Sequence, residues 1–207
     1  MITIVDYGMG NLGSICNMLK RIGAAAEVTA DPAVLARATK ILLPGVGAFD
    51  SAMQRINTSG LRSVLDHKAL HECVPIMGIC LGMQLLTRGS EEGKLPGLGW
   101  IPAATLRFPQ VPGLKVPHMG WNVVTPARDS PLIAGLAAES RYYFVHSYYV
   151  RTDDRRDAVL TSHYGVTFDA VVVHDNLCGA QFHPEKSHKY GMSFLSNFAR
   201  MGCCARV

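Results

Sequence analysis

No apolar run in this 207-residue chain approaches the roughly 20 residues that a membrane-spanning helix requires. The start, Met1-Ile2-Thr3-Ile4-Val5-Asp6, lacks the basic residues and small-residue cleavage site of a signal peptide and reads as a first strand. Charged residues are sparse at 17%, while 48% of the chain is hydrophobic, a balance that excludes a disordered or fibrous protein. The net charge of +4 comes from scattered basic residues, and Arg155-Arg156 has acids beside it, so no nucleic-acid footprint is present. The six cysteines, at 16, 73, 80, 178, 203 and 204, include no C-x-x-C pair. Cys203 and Cys204 are adjacent, which is poor geometry for chelating one metal. Linkers, repeats and low-complexity segments are also missing. The expectation is one domain spanning 1–207, cytoplasmic, with reduced thiols that mostly serve as small core residues.

What the chain does have is alternation. Ile2 to Val5, Ala26 to Thr29, Lys40 to Pro44 and Val74 to Ile79 read as strands. Between them, Leu12, Ile15, Cys16, Leu19 and Ile22 recur at helical spacing, with Asn11 as N-cap and Gly23 as terminator; Phe49 to Ile56 and Leu61 to Leu70 are further helical stretches. This β-α-β-α order predicts an α/β fold, a mostly parallel mixed sheet with helices on both faces. From about residue 95 the pattern shortens. Trp121 to Thr125 and Tyr142 to Val150 are expected as antiparallel strands added to the far side of that sheet. Ala170 to Val173 and Cys178 to Phe182 suggest a hairpin around Asp175-Asn176, followed by a closing helix over 187–201.

The chemistry concentrates at Gly78-Ile79-Cys80-Leu81-Gly82. A cysteine between two glycines, at the end of an apolar strand and the start of a helix, is the thiol form of the nucleophile elbow. Such a sulfur sits at a helix N-terminus, where free N–H groups favour thiolate. A nucleophile of this kind needs a base, and the base needs an orienting group. Of eight histidines, His183 has the matching setting: it follows the apolar strand Cys178 to Phe182 and stands two residues before Glu185. Extended geometry would point both side chains the same way, and Pro184 favours an extended His183. Glu185 has a competing reading as a cap for the closing helix. An oxyanion hole completes the set, from the Leu81 N–H and from the loop Gly45-Val46-Gly47. The turn Gly8-Met9-Gly10 lacks the third glycine and later acid of a dinucleotide site, which excludes that reading.

These segments, together with Asp6-Tyr7-Gly8-Met9-Gly10-Asn11-Leu12, Pro44 to Gly47, Gly78 to Gln84, His118-Met119-Gly120-Trp121-Asn122, Tyr143 to Tyr148 and Gln181 to Ser187, resemble the class I, triad-type glutamine amidotransferases of flavodoxin-like fold. More narrowly, they are similar to the glutaminase subunits of imidazole glycerol phosphate synthases. The resemblance runs in order along nearly the whole chain. It implies that Cys80 attacks the glutamine side-chain amide to form a γ-glutamyl thioester, with His183 moving protons and Glu185 orienting it. It implies that Gln84, Gly47 and the Ser147-Tyr148 backbone hold glutamine and that no metal or organic cofactor is needed. It implies a (β/α)₈-barrel cyclase partner, in a heterodimer, that takes the ammonia and releases imidazole glycerol phosphate and a purine-precursor ribonucleotide. His118, Met119, Trp121, Asn122, Tyr143 and Lys186 match positions at the mouth facing that partner. The peptide at Gly45-Val46-Gly47 is expected to wait in an unproductive orientation, held there by a β-branched Val46 where related enzymes carry glycine.

From pattern alone, Trp121 and Tyr143 fit core packing as well as an interface, His146 reads as structural and Lys186 as a solvated charge. The open alternatives are the glutaminase subunits of anthranilate, aminodeoxychorismate or pyridoxal phosphate synthesis, a γ-glutamyl hydrolase of the same fold, and an inactive scaffold subunit. The intact Cys80, His183 and Glu185 argue against the last.

Overall fold

The computed structural model describes residues 1–137 and 139–202, so the Cys203-Cys204 pair lies outside the described residues. Strands β1 (Ile2–Val5), β2 (Ala26–Thr29), β3 (Ile41–Gly45), β4 (Ile76–Cys80) and β12 (Leu177–Ala180) run parallel in the order β2-β1-β3-β4-β12. In β1, β3, β4 and β12 every residue is buried, as expected of strands covered on both faces. Alternate side chains feed two separate cores. Ile2, Ile4 and Leu42 point toward α1 (Leu12–Arg21) and α6 (His188–Arg200), meeting Ile15, Leu19, Phe194 and Phe198. Val5, Ile41 and Leu43 point the other way, toward Phe49, Met53 and Ile56 of α3 (Phe49–Thr58) and Leu61 and Leu65 of α4 (Leu61–Leu70). The caps read from sequence hold: the Asn11 side chain accepts a hydrogen bond from the Ser14 N–H at 3.3 Å, and Gly23, just beyond α1, has φ +73°. A one-turn helix, α2 (Pro32–Leu35), went unread although Asp31-Pro32 carries its signal, an N-cap carboxylate followed by proline at the first helical position.

Antiparallel strands extend the sheet beyond β12. The hairpin partner is β11 (Val166–His174), followed by β10 (Ala158–Tyr164) and β7 (Thr125–Pro126); β9 (Tyr148–Thr152) joins through β11 and carries β5 (Ala103–Arg107). Two expectations fail here. Neither Trp121 to Thr125 nor Tyr142 to Val150 is one strand of the main sheet, which takes only Thr125 of the first segment, in β7. Residues Arg141–His146 form β8, which pairs with β6 (His118–Val123) in a separate two-stranded ribbon, and only after Ser147 does the chain enter β9. Alternation reports which residues face inward but not which strand receives the backbone hydrogen bonds, so the change of sheet at Ser147 leaves no local mark. No helix among the described residues is long and apolar enough to cross a membrane.

Candidate active site

Register brings the chemistry to one edge. Gly45 at the end of β3 lies beside Cys80 at the end of β4, and Ala180 at the end of β12 lies beside Ile79. The loop after β3, the cysteine after β4 and the histidine after β12 therefore emerge together at the carboxyl ends of neighbouring parallel strands, where such sheets bind ligands. Cys80 joins β4 directly to the short helix α5 (Leu81–Leu85) with φ +55°, a conformation that costs a non-glycine residue about 1–3 kcal/mol. Two close approaches hold it. A Cβ on Gly82 would lie 1.8 Å from the Leu43 carbonyl oxygen, and one on Gly78 would lie 2.5 Å from the Gly82 carbonyl oxygen. The flanking glycines thus let helix and strand touch, as the elbow reading requires.

The Cys80 thiol is nearly buried, with the Gln181 side-chain amide 3.8 Å and the Val145 carbonyl 3.9 Å from its sulfur. His183 has extended backbone, φ −97° and ψ 98°, as Pro184 dictates. Glu185, however, is not extended. It sits in a 3₁₀ turn, Pro184–Lys186, and that turn swings its carboxylate back to 2.8 Å from His183 Nδ1. It is hydrogen-bonded to the histidine, and no capping hydrogen bond from it to α6 is present. Burial lowers the affinity of His183 for its proton, but hydrogen bonding and charge attraction from Cys80 and Glu185 outweigh it and push the pKa up to about 10. Nε2 has no hydrogen-bond partner among the described residues, and Cys80 is close enough to raise the His183 pKa. Ser187, which closes the Gln181 to Ser187 segment but was given no role from sequence, locks the turn: its buried hydroxyl donates to the His183 carbonyl at 2.7 Å and accepts from the Tyr143 N–H at 3.0 Å.

A cavity of about 340 Å³ opens above the sulfur, lined by Val46, Gly47, Cys80, Leu81, Gln84, Glu92, Val145, His146, Ser147, Tyr148 and His183, with Pro117 at its side. Every residue read as substrate-holding or oxyanion-forming lines it except Gly45, which lies one residue behind. Gln84 is buried, and its amide nitrogen donates to the Tyr148 carbonyl at 3.0 Å and to Gln181 Oε1 at 3.2 Å. Glu92 was missed, being one of two adjacent glutamates in a polar stretch. It is exposed by surface area, its carboxylate accepts the Phe49 N–H at 3.1 Å, and partial desolvation raises its pKa.

The sequence profile of the family described as "Glutamine amidotransferase class-I" matches residues 3–201. The chain belongs to the class-I glutamine amidotransferase family. Among its relatives, "Imidazole glycerol phosphate synthase subunit HisH 2" of Methanococcus maripaludis is 50% identical over 97% of this chain and 99% of that one. The protein of the same name from Pseudomonas aeruginosa is 49% identical over 97% of this chain and all of that one. Solved structures agree in fold. A crystal structure of a glutamine amidotransferase superposes with a TM-score of 0.73 at 17% identity, covering 96% of this chain and 99% of that one. The structure of PurLQS from Thermotoga maritima gives 0.71 at 17% identity, covering 95% and 96%.

In this amidotransferase the residues read as partner-facing divide along β6. Met119 is 63% exposed and Trp121 44%, and Val123 continues the same outward stripe. Tyr143 lies under the Lys186 ammonium at 5.6 Å and meets the Trp121 ring edge-on at 6.2 Å, so both belong to that face. His118 does not. The period-2 alternation of a strand turns it inward, where it is buried between Phe144 and Tyr164. Asn122 shares that inward side, bonded to His118 and to the His163 carbonyl.

Proposed function

We propose that this protein is the glutaminase subunit of an imidazole glycerol phosphate synthase, hydrolysing glutamine for histidine biosynthesis. The observation that carries the reading is the meeting of Cys80 and the His183–Glu185 pair at the floor of one cavity, in a chain about half identical to named subunits of that synthase. His183 takes the thiol proton and the sulfur attacks the side-chain amide carbon of glutamine. The Leu81 N–H and a peptide of Gly45-Val46-Gly47 receive the negative oxygen, each donor contributing roughly 3 kcal/mol. His183 then gives its proton to the leaving nitrogen, ammonia departs and a γ-glutamyl thioester remains. Water, deprotonated by His183, attacks the thioester; glutamate leaves and the thiol is restored. Cys80, His183 and water account for every bond change.

Gln84 and the Ser147-Tyr148 backbone hold the substrate, and Glu92, the one carboxylate lining the cavity, suits its ammonium group. The acceptor of ammonia is a (β/α)₈-barrel cyclase bound as a heterodimer against Met119, Trp121, Tyr143 and Lys186. A reducing compartment keeps a reactive free thiol reduced, which supports a cytoplasmic location for the enzyme.

The test is glutamate release by the purified protein, alone and with a barrel cyclase. Release that appears in the complex and vanishes with Cys80→Ala is expected. High activity alone would mark an independent hydrolase, and none in any complex would mark a scaffold.

A further inference from the structure

Two buried histidines that the proposed chemistry does not use form a wire to the substrate pocket. His118 Nδ1 lies 3.0 Å from His146 Nε2, and His146 Nδ1 lies 2.7 Å from the Tyr148 carbonyl. At the other end, Asn122 Nδ2 lies 3.2 Å from His118 Nε2.

The proton positions follow from either end. A carbonyl only accepts, so His146 Nδ1 carries a proton and, in the neutral ring, Nε2 accepts. His118 Nδ1 must then donate, which leaves its Nε2 as an acceptor. Starting from the other end, the orientation of the Asn122 amide is fixed independently: Nδ2 donates to the His163 carbonyl at 2.9 Å while Oδ1 accepts the Val123 N–H at 2.9 Å. Its second Nδ2 hydrogen points to His118 Nε2, giving the same polarity. Burial lowers the His118 pKa to about 4. Burial also lowers His146, opposed by its bond to Tyr148 and reinforced by His118 and His183, to about 3. Both rings are therefore neutral near pH 7. Aromatic stacking clamps His118, with Phe144 at 4.9 Å and Tyr164 at 4.1 Å.

The wire ends where the pocket needs rigidity. Ser147 and Tyr148 form the corner at which the chain leaves the ribbon for the main sheet, and both line the cavity with His146. The Tyr148 carbonyl receives Gln84 as well as His146, and the Ser147 carbonyl receives the Phe108 N–H at 3.2 Å. We propose that Asn122, His118 and His146 are positioning residues: a one-directional hydrogen-bonded chain, with both imidazoles in fixed tautomers, that holds the Ser147-Tyr148 wall of the cavity in its glutamine-binding shape.

The proposal rests on the glutaminase reading for its kinetic consequence, but the tautomers are measurable without activity. Ring ¹⁵N spectra of the unliganded protein at pH 7 should show both histidines neutral, each carrying its proton on Nδ1. A charged ring, or an Nε2–H tautomer in either, overturns the proposal whatever the protein catalyses. In the complex, His118→Leu removes the donor to His146 at similar volume, whereas His118→Asn returns an amide donor near the Nδ1 position. His118→Leu should raise KM for glutamine about tenfold with less than a threefold change in kcat, and His118→Asn should recover most of the loss. Equal damage by both variants, or an unchanged KM in His118→Leu, overturns the positioning role.

Discussion

His183 Nδ1 and a Glu185 oxygen meet at 2.8 Å, with both side chains almost wholly buried and the second Glu185 oxygen free of any hydrogen bond. An ionised carboxylate so placed favours the imidazolium, which the leaving ammonia needs as its proton source. Glu185→Gln keeps the shape but removes the charge. The glutaminase kcat of the complex should fall at least about 10²-fold.

The same pair makes stability depend on pH in a defined direction. The folded-state pKa of His183 is raised above its usual value of 6.5, to about 10. Its contribution is thus complete below about pH 6.5 and is lost as pH rises toward about 10. Urea midpoints measured across that window should decline, and more shallowly in Glu185→Gln. An unchanged slope in the variant would remove Glu185 from the cause.

The elbow predicts a contrast between two glycines. In Gly82→Ala the new carbon would lie 1.8 Å from the Leu43 carbonyl oxygen, so strand and helix must separate. A loss of about 3 kcal/mol or more is expected. In Gly13→Ala, inside α1, the new carbon meets nothing within 4 Å and the variant should gain roughly 0.5–1 kcal/mol. Thermal melts of the two distinguish close approach from a general intolerance of alanine.

Val46 lines the cavity yet is 42% exposed, so trimming it removes little packing. If its β-branch holds the oxyanion peptide in an unproductive orientation, Val46→Gly should raise partner-free glutaminase activity about tenfold, equivalent to ~1.4 kcal/mol of barrier. Unchanged partner-free turnover would exclude this role.

Trp121 stacks on His188 at 5.6 Å but remains largely outside the core. Trp121→Ala should leave the melting temperature of the free subunit nearly unchanged. It should weaken binding of the barrel partner by about 2 kcal/mol, some 30-fold in Kd by titration calorimetry. Large destabilisation of the free subunit would assign the ring to packing instead.

Much of this architecture is legible locally. The wholly buried strands β1, β3 and β4, the Asn11 cap and the glycines around Cys80 each carry their signal within a few residues, because burial on both faces, capping and steric approach constrain local residue type. Glu185 was legible as a partner of His183 but not by the route the sequence suggests. A 3₁₀ turn, rather than an extended strand, brings the two together. No role for Glu92 or Ser187 was legible, since neither a glutamate in a polar loop nor a serine before a helix stands out until the fold surrounds it.

The sequence by itself determined the strand-helix alternation, the cysteine elbow between two glycines and the presence of a base with an acid two residues away, all of which follow from steric and hydrogen-bonding rules acting over short spans. Only the tertiary structure decided that the ends of β3, β4 and β12 share one edge, that β6 and β8 leave the sheet as a ribbon, and that His118 turns inward while Trp121 faces out. Those outcomes depend on which strands pair and in what register, and that choice is settled by burial of the two cores as a whole, not by any single segment.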